Sequence, residues 1–165
     1  PQVSDRKLLE WTNTGFTKLC LAQVALVMLA GGESDHLRVS APLPLIDIGL
    51  SSQKSILQMV AERVRRLEHL VFRRTKRAAS IPVYVMVNRN NLSRFEKYLQ
   101  ENEFFGLREQ DVQIFIQGQC PIVDKSGQLI LDQKHRIAHQ PNGNGGLFRA
   151  LLDDGMLQDM KSRGV

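Results

Sequence analysis

Two glycine-bearing turns hold the residues best able to do chemistry: Leu29-Ala30-Gly31-Gly32, which closes an apolar run, and Pro141-Asn142-Gly143-Asn144-Gly145-Gly146. Glycine lets a main chain approach a ligand closely and adopt positive φ, so such turns aim N–H groups at phosphate or base-edge acceptors. Two such turns in one chain point to one nucleotide cleft. Other reactive residue types are arranged less productively. His135 and His139 stand four apart with no Glu between them, in a segment read as extended, where that spacing separates the imidazoles. Asp153 and Asp154, soon after the second turn, read as helix-surface carboxylates rather than cation ligands. Cys20 and Cys120 fit neither a metal pair nor a disulfide framework and read as free thiols. No Ser-His-Asp or Cys-His set supplies a nucleophile.

The elements that must position the turns follow from periodicity. Asp5–Cys20 reads as a helix and Ala22–Ala30 as a buried strand. Pro42 and Pro44 keep the next stretch extended, and Leu45–Leu50 reads as a short strand. Ser51 or Ser52 is the expected cap of a helix running to about Arg74. Ile81–Val87 is the next buried strand, Asn90 or Asn91 caps a helix to about Gln100, and Asp111–Gln117 makes a third strand. Lys125-Ser126-Gly127 turns Ile122–Val123 toward Gln128–Leu131 as a hairpin, and Gly145–Leu152 resumes helix. Strands alternating with helices predict a three-layer α/β fold, with parallel strands and ligands at their carboxyl ends.

Composition narrows the partners. The 165 residues suffice for one domain with a sizeable core, and 42% are hydrophobic. Opening on Pro1 and closing on Arg163-Gly164-Val165, the chain reads as part of something longer. Its longest apolar stretch, Val24–Ala30, is far short of a bilayer span, and a cytoplasmic location is expected. The net charge of +5 gathers at Arg63, Arg65, Arg66, Arg73, Arg74, Lys76 and Arg77. Ile56, Val60, Val64, Leu67 and Val71 repeat at helical spacing on the opposite side, so the arginines read as a solvated face. Phe72 is the one aromatic residue among them, too few for a base-stacking platform, which argues against nucleic acid.

Blocks ordered along the chain resemble the eukaryotic UDP-N-acetylglucosamine (UDP-N-acetylhexosamine) pyrophosphorylases. They are Leu29-Ala30-Gly31-Gly32, Val39-Ser40-Ala41-Pro42, Gly49-Leu50, Gln58 with Ala61-Glu62-Arg63, Ile81-Pro82, Tyr84, Met86, Phe105-Gly106-Leu107, Gln117-Gly118, Pro121 and Gly143-Asn144-Gly145-Gly146-Leu147. The resemblance implies an incomplete Rossmann-like nucleotidyltransferase domain of the nucleotide-diphospho-sugar transferase type. Residues 1–165 would be the N-terminal part of that central catalytic domain, with a helical lead-in over about 1–20. It also implies transfer of a uridylyl group from UTP to N-acetylglucosamine 1-phosphate, releasing pyrophosphate and UDP-N-acetylglucosamine. Mg²⁺ is the expected cofactor, with its ligand outside this chain.

By the same resemblance, Leu29, Ala30, Gly31 and Gly32 face the nucleotide, Gln117 and Gly143 read uracil, and Asn144 touches the sugar. A uracil edge offers carbonyl acceptors and one N–H donor, which a side-chain amide and backbone groups can read without an ionisable residue. Two departures concern charge. The family's Gln-Gly-Thr-Arg-Leu-Gly is here Glu33-Ser34-Asp35-His36-Leu37-Arg38, and its Pro-Lys-Gly is Pro42-Leu43-Pro44. His36 and Leu43 thus occupy the expected phosphate-binding Arg and catalytic Lys positions, with Arg38 as the candidate substitute. Glu33 and Asp35 bring carboxylates toward a triphosphate. The expected partners are UTP or a UDP-sugar, a sugar 1-phosphate, and either the rest of a parent chain or a second copy paired along an exposed sheet edge.

Overall fold

Val83–Val87 is apolar at every position, the pattern of a strand covered on both faces, and all five residues are buried. The computed structural model describes residues 4–32 and 41–165. In it this strand, β2, is central. It is flanked by β1 (Leu26–Leu29) and β3 (Val112–Ile116), both parallel to it, with Leu26 opposite Val83 and Met86 opposite Phe115.

Successive strand side chains point to opposite faces, so β2 feeds two cores. Val83, Val85 and Val87 pack with Leu57 and Val64 of α2 (Ile56–Thr75) and with Phe95 and Leu99 of α3 (Leu92–Glu101). Tyr84 and Met86 pack with Phe115 and with Ala150 and Leu151 of α4 (Gly146–Asp153), where Met156 and Met160 of α5 (Met156–Arg163) join them. Helices therefore cover both faces of a parallel sheet, as the element order predicts. A polar clamp holds α5 in place. The buried Tyr84 hydroxyl donates to Asp159 at 2.6 Å, and Arg163 donates to Asp159 at 2.8 Å and to Asp111 at 3.1 Å. Burial and the Asp159 bond push the Tyr84 phenol above its ordinary range; that bond, then Arg163, holds Asp159 below the usual carboxylate range.

Several expected boundaries move, each for a local reason. The first strand begins at Leu26 rather than Ala22, because Leu21, Ala22 and Gln23 donate back to Thr17, Leu19 and Lys18 and close the end of α1 (Asp5–Cys20). Leu45–Leu50 is not a strand. Pro42 and Pro44 instead set a 3₁₀ turn over Leu43–Leu45, leaving only an isolated bridge between Asp47 and Ser55. The cap of α2 is Ser55 rather than Ser51 or Ser52, its hydroxyl accepting from the Gln58 N–H at 3.1 Å. Leu67 is 40% exposed, since the buried stripe of α2 runs through Leu57, Ala61, Val64 and Val71. Asn91 stands before α3 without a side-chain cap, and it is Asn88 that accepts from the Asn90 N–H.

The basic residues of α2 are partly engaged within the fold: Arg74 lies 4.6 Å from the Phe16 ring centroid, and Arg65 donates to the Phe105 carbonyl at 3.2 Å. Beyond the sheet, the expected hairpin is present as the Val123–Leu129 bridge. Two short antiparallel pairs accompany it: β4 (Gln119–Pro121) with β7 (His139–Pro141), and β5 (Leu131–Gln133) with β6 (Arg136–Ile137). The β4–β7 pair carries the second glycine turn back to the sheet.

Candidate functional site

The parallel ladder runs one step past each flanking strand. Ala30 N–H donates to the Met86 carbonyl at 2.7 Å, and Gln117 N–H donates to the Val87 carbonyl at 2.8 Å. These bonds bring Gly31 and Gln117 together at the carboxyl end of the sheet. Pairing of Pro141 with Gln119 then sets the second glycine turn above them. A cleft of about 500 Å³ results, lined by Leu29, Gly31, Gly32, Met86, Gln117, Pro141, Gly143 and Asn144.

Five of the residues expected at the nucleotide lie here, Leu29, Gly31, Gly32, Gln117 and Gly143, together with Asn144, expected at the sugar. Ala30 does not. It is 1% exposed and packs into the core, and its N–H is bonded to Met86, so it has no donor for a ligand. Leu43 sits on its 3₁₀ turn, 41% exposed, and is absent from the cleft lining. Glu33, Ser34, Asp35, His36 and Arg38 fall outside the described residues. Met86 and Pro141 join the lining without having been expected. The signal for Met86 was its place near the end of a strand buried on both faces, where the last side chains roof the sheet's edge.

Gln117 is the pivot. It is 6% exposed, and its Nε2 donates to the Gly143 carbonyl at 3.1 Å, which fixes the direction of the amide. Its Oε1 is turned against Gly31, where no described group donates to it. Gly143 has φ +74°, a left-handed conformation that favours glycine. Leu29 is 43% exposed at the mouth, an apolar surface suited to the face of a flat ring.

None of the eight described lining residues is ionisable. Such a wall can read hydrogen-bonding edges and apolar faces but cannot neutralise phosphates. Mg²⁺ does not fit these residues either. Among the described residues the lining has no carboxylate, Asp153 is paired with Arg149 at 2.7 Å, and Asp154 accepts from the Ile116 N–H at 2.9 Å. Among the described residues no three His, Cys, Asp or Glu stand together as a metal set. His139 lies on β7 with its Nδ1 2.8 Å from the Ile137 carbonyl oxygen, and His135 is exposed.

A family model described as UTP–glucose-1-phosphate uridylyltransferase matches residues 2–165. The chain belongs to that family. Within it, the mouse UDP-N-acetylhexosamine pyrophosphorylase-like protein 1 is 40% identical over 95% of this chain and 31% of its own length. The Saccharomyces cerevisiae UDP-N-acetylglucosamine pyrophosphorylase is 32% identical over 98% of this chain and 34% of its own. The crystal structure of a Trypanosoma brucei uridine diphosphate N-acetylglucosamine pyrophosphorylase in complex with an inhibitor matches with a TM-score of 0.83. Its identity is 28%, over 92% of this chain and 32% of that one. The chain therefore spans about a third of the length of these uridylyltransferase-family relatives. Among the described residues no helix is long and apolar enough to cross a membrane.

Proposed function

We propose that this cleft is the uracil-reading floor of a UTP or UDP-sugar site in a UDP-N-acetylhexosamine pyrophosphorylase lineage. The observation that carries the reading is Gln117, held by Gly143 between two glycine turns in an uncharged wall. Nε2 gives one of its two N–H groups to Gly143, and Oε1 remains as the amide's acceptor. The imino N–H of uracil complements it, whereas cytosine presents an acceptor at that position. A small outward shift of the Gly31 turn admits the base, Leu29 contacts its face, and Asn144 touches the sugar.

In the reaction, an oxygen of N-acetylglucosamine 1-phosphate attacks the α-phosphorus of UTP. The bond to the bridging oxygen breaks, and pyrophosphate leaves. Protein of this kind acts by position and charge, and negative charge gathers on the α-phosphate and the leaving group. His36 and Leu43 in place of Arg and Lys remove two donors, each worth roughly 3 kcal/mol in such transition states, so turnover falls by several orders of magnitude. A second reading, in which the chain binds uridine nucleotides or partners without turnover, is favoured by the replacement of the expected Arg and Lys by His36 and Leu43. Residues 1–165 serve in either case as the first part of the central catalytic domain. Mg²⁺ enters only through groups other than the described residues. Free Cys20 and Cys120 suit a reducing, cytoplasmic setting.

Calorimetric titration with UTP and CTP tests the base reading. UTP is expected to bind at least tenfold more tightly, by about 1.4 kcal/mol. Equal affinities sink it. Pyrophosphate release from UTP and N-acetylglucosamine 1-phosphate separates the two readings: turnover that rises on combining His36→Arg with Leu43→Lys supports an impaired transferase, and none before or after supports a binding module.

A further inference from the structure

Gly118 and Gly146 are not left-handed glycines, so backbone conformation does not explain their lack of a side chain. Nor does the cleft, since neither lines it. What occupies the missing volume is Asn142. A Cβ on Gly118 would stand 2.7 Å from Asn142 Nδ2, and a Cβ on Gly146 would overlap Oδ1, Cγ and Nδ2 of the same amide. The side chain of Asn142 is therefore a wedge seated between the end of β3 and the first residue of α4.

Its backbone is tied to the same place, the Asn142 N–H donating to the Gly118 carbonyl at 3.1 Å. The next residue is Gly143, whose carbonyl accepts from Gln117 Nε2 and from the Gly146 N–H, both at 3.1 Å. Asn144 follows, its carbonyl accepting from Leu147 N–H at 3.2 Å. The chain from 142 to 147 is thus one pinned unit, and Asn142 is the pin at its sheet end. Asn142 itself lines a neighbouring recess of about 440 Å³ and not the cleft. Its Oδ1 is buried with no described group donating to it, so the residue is a poor choice on stability grounds alone.

We infer that Asn142 is a positioning residue for the nucleotide cleft. It sets the height of Gly143 and Asn144 over Gln117 by filling the space that Gly118 and Gly146 leave. The inference rests on the uridine reading only for its ligand. Gly31 answers it on the other side, since a Cβ there would overlap Gln117 Oε1. The glycines at 31, 118 and 146 therefore make room for two amide side chains rather than for a phosphate.

A double-mutant cycle on the intact protein tests the wedge, with UTP as probe. Asn142→Ala is expected to weaken UTP about tenfold while the melting temperature stays within about 3 °C, a split that a purely structural role would not produce. Gly146→Ala is expected to weaken UTP at least tenfold in the presence of Asn142 and less than about threefold when combined with Asn142→Ala. The same penalty in both backgrounds, or unchanged affinity in Asn142→Ala, overturns the inference. A wild-type protein that does not bind UTP removes the uridine reading alone. The wedge is then read from melting: Gly146→Ala lowers the melting temperature only where Asn142 is intact if the claim holds, and by equal amounts in both backgrounds if it fails.

Discussion

Gln117 concentrates the residue-scale argument, because one amide touches both glycine turns: its nitrogen bonds Gly143, and its oxygen lies on Gly31. Removing it leaves the Gly143 carbonyl without this donor and the base without an acceptor. Gln117→Ala is accordingly expected to raise the dissociation constant for UTP about tenfold or more, measured by calorimetry, with little change for pyrophosphate, which needs no base contact. The Tyr84–Asp159–Arg163 clamp carries a different prediction. Asp159 is held below its ordinary value of 3.8, so the folded state releases its proton more readily than the unfolded chain. Its stabilisation is present above that ordinary value and disappears as pH falls through the lowered one. Melting temperature should therefore fall below about pH 4, and Asp159→Asn should flatten that limb. For Tyr84 the sign reverses. Its phenol is raised above its ordinary 10.0, so its contribution holds below pH 10 and declines above it.

At the scale of elements, the turn after α3 is the most constrained. Glu103, Phe104, Phe105 and Gly106 all have positive φ, between 48° and 75°, a run that L-residues adopt only under pressure from packing. The pressure is visible: Tyr98 and Phe105 rings meet at 5.7 Å, and Arg65 of α2 reaches over to the Phe105 carbonyl. A Cβ on Gly106 would sit 2.8 Å from the Arg65 guanidinium carbon. Gly106→Ala should destabilise the fold by about 1–2 kcal/mol from the left-handed conformation, and by more if Arg65 is dislodged, read as a lower midpoint in urea. Ser55 offers a milder comparison on the same helix pair, since removal of an N-cap hydroxyl costs about 1 kcal/mol.

For the whole molecule, the described sheet has only three strands, so β1 and β3 each present an edge. The β3 edge is met at Ile116 by Asp154, which accepts its N–H. Leu8, Leu9 and Trp11 of α1 are also exposed, and α1 contributes no buried residue. Open edges and apolar faces favour association. The 165-residue chain made alone should therefore elute above its monomer mass in size-exclusion chromatography, increasingly so with concentration. A monodisperse monomer across a hundredfold range of concentration would contradict this.

What the amino-acid order determined by itself was the layering. A short all-apolar run rich in β-branched residues, such as Val83–Val87, reads as a strand covered on both faces, and an amphipathic run such as Ile56–Thr75 reads as a helix that buries one stripe. The two glycine turns were legible for the same local reason, while Gln117 and Asn144 were legible only through resemblance to a family. Helix and strand ends were read less well, at Ser55 and Leu26, because capping and chain reversal depend on a few hydrogen bonds with neighbours. Only the tertiary structure decided that Ala30 belongs to the core and that Asn142 stands between Gly118 and Gly146. Both depend on which segments the parallel ladder and the β4–β7 pair bring together, and no periodicity along the chain encodes distance between segments so far apart.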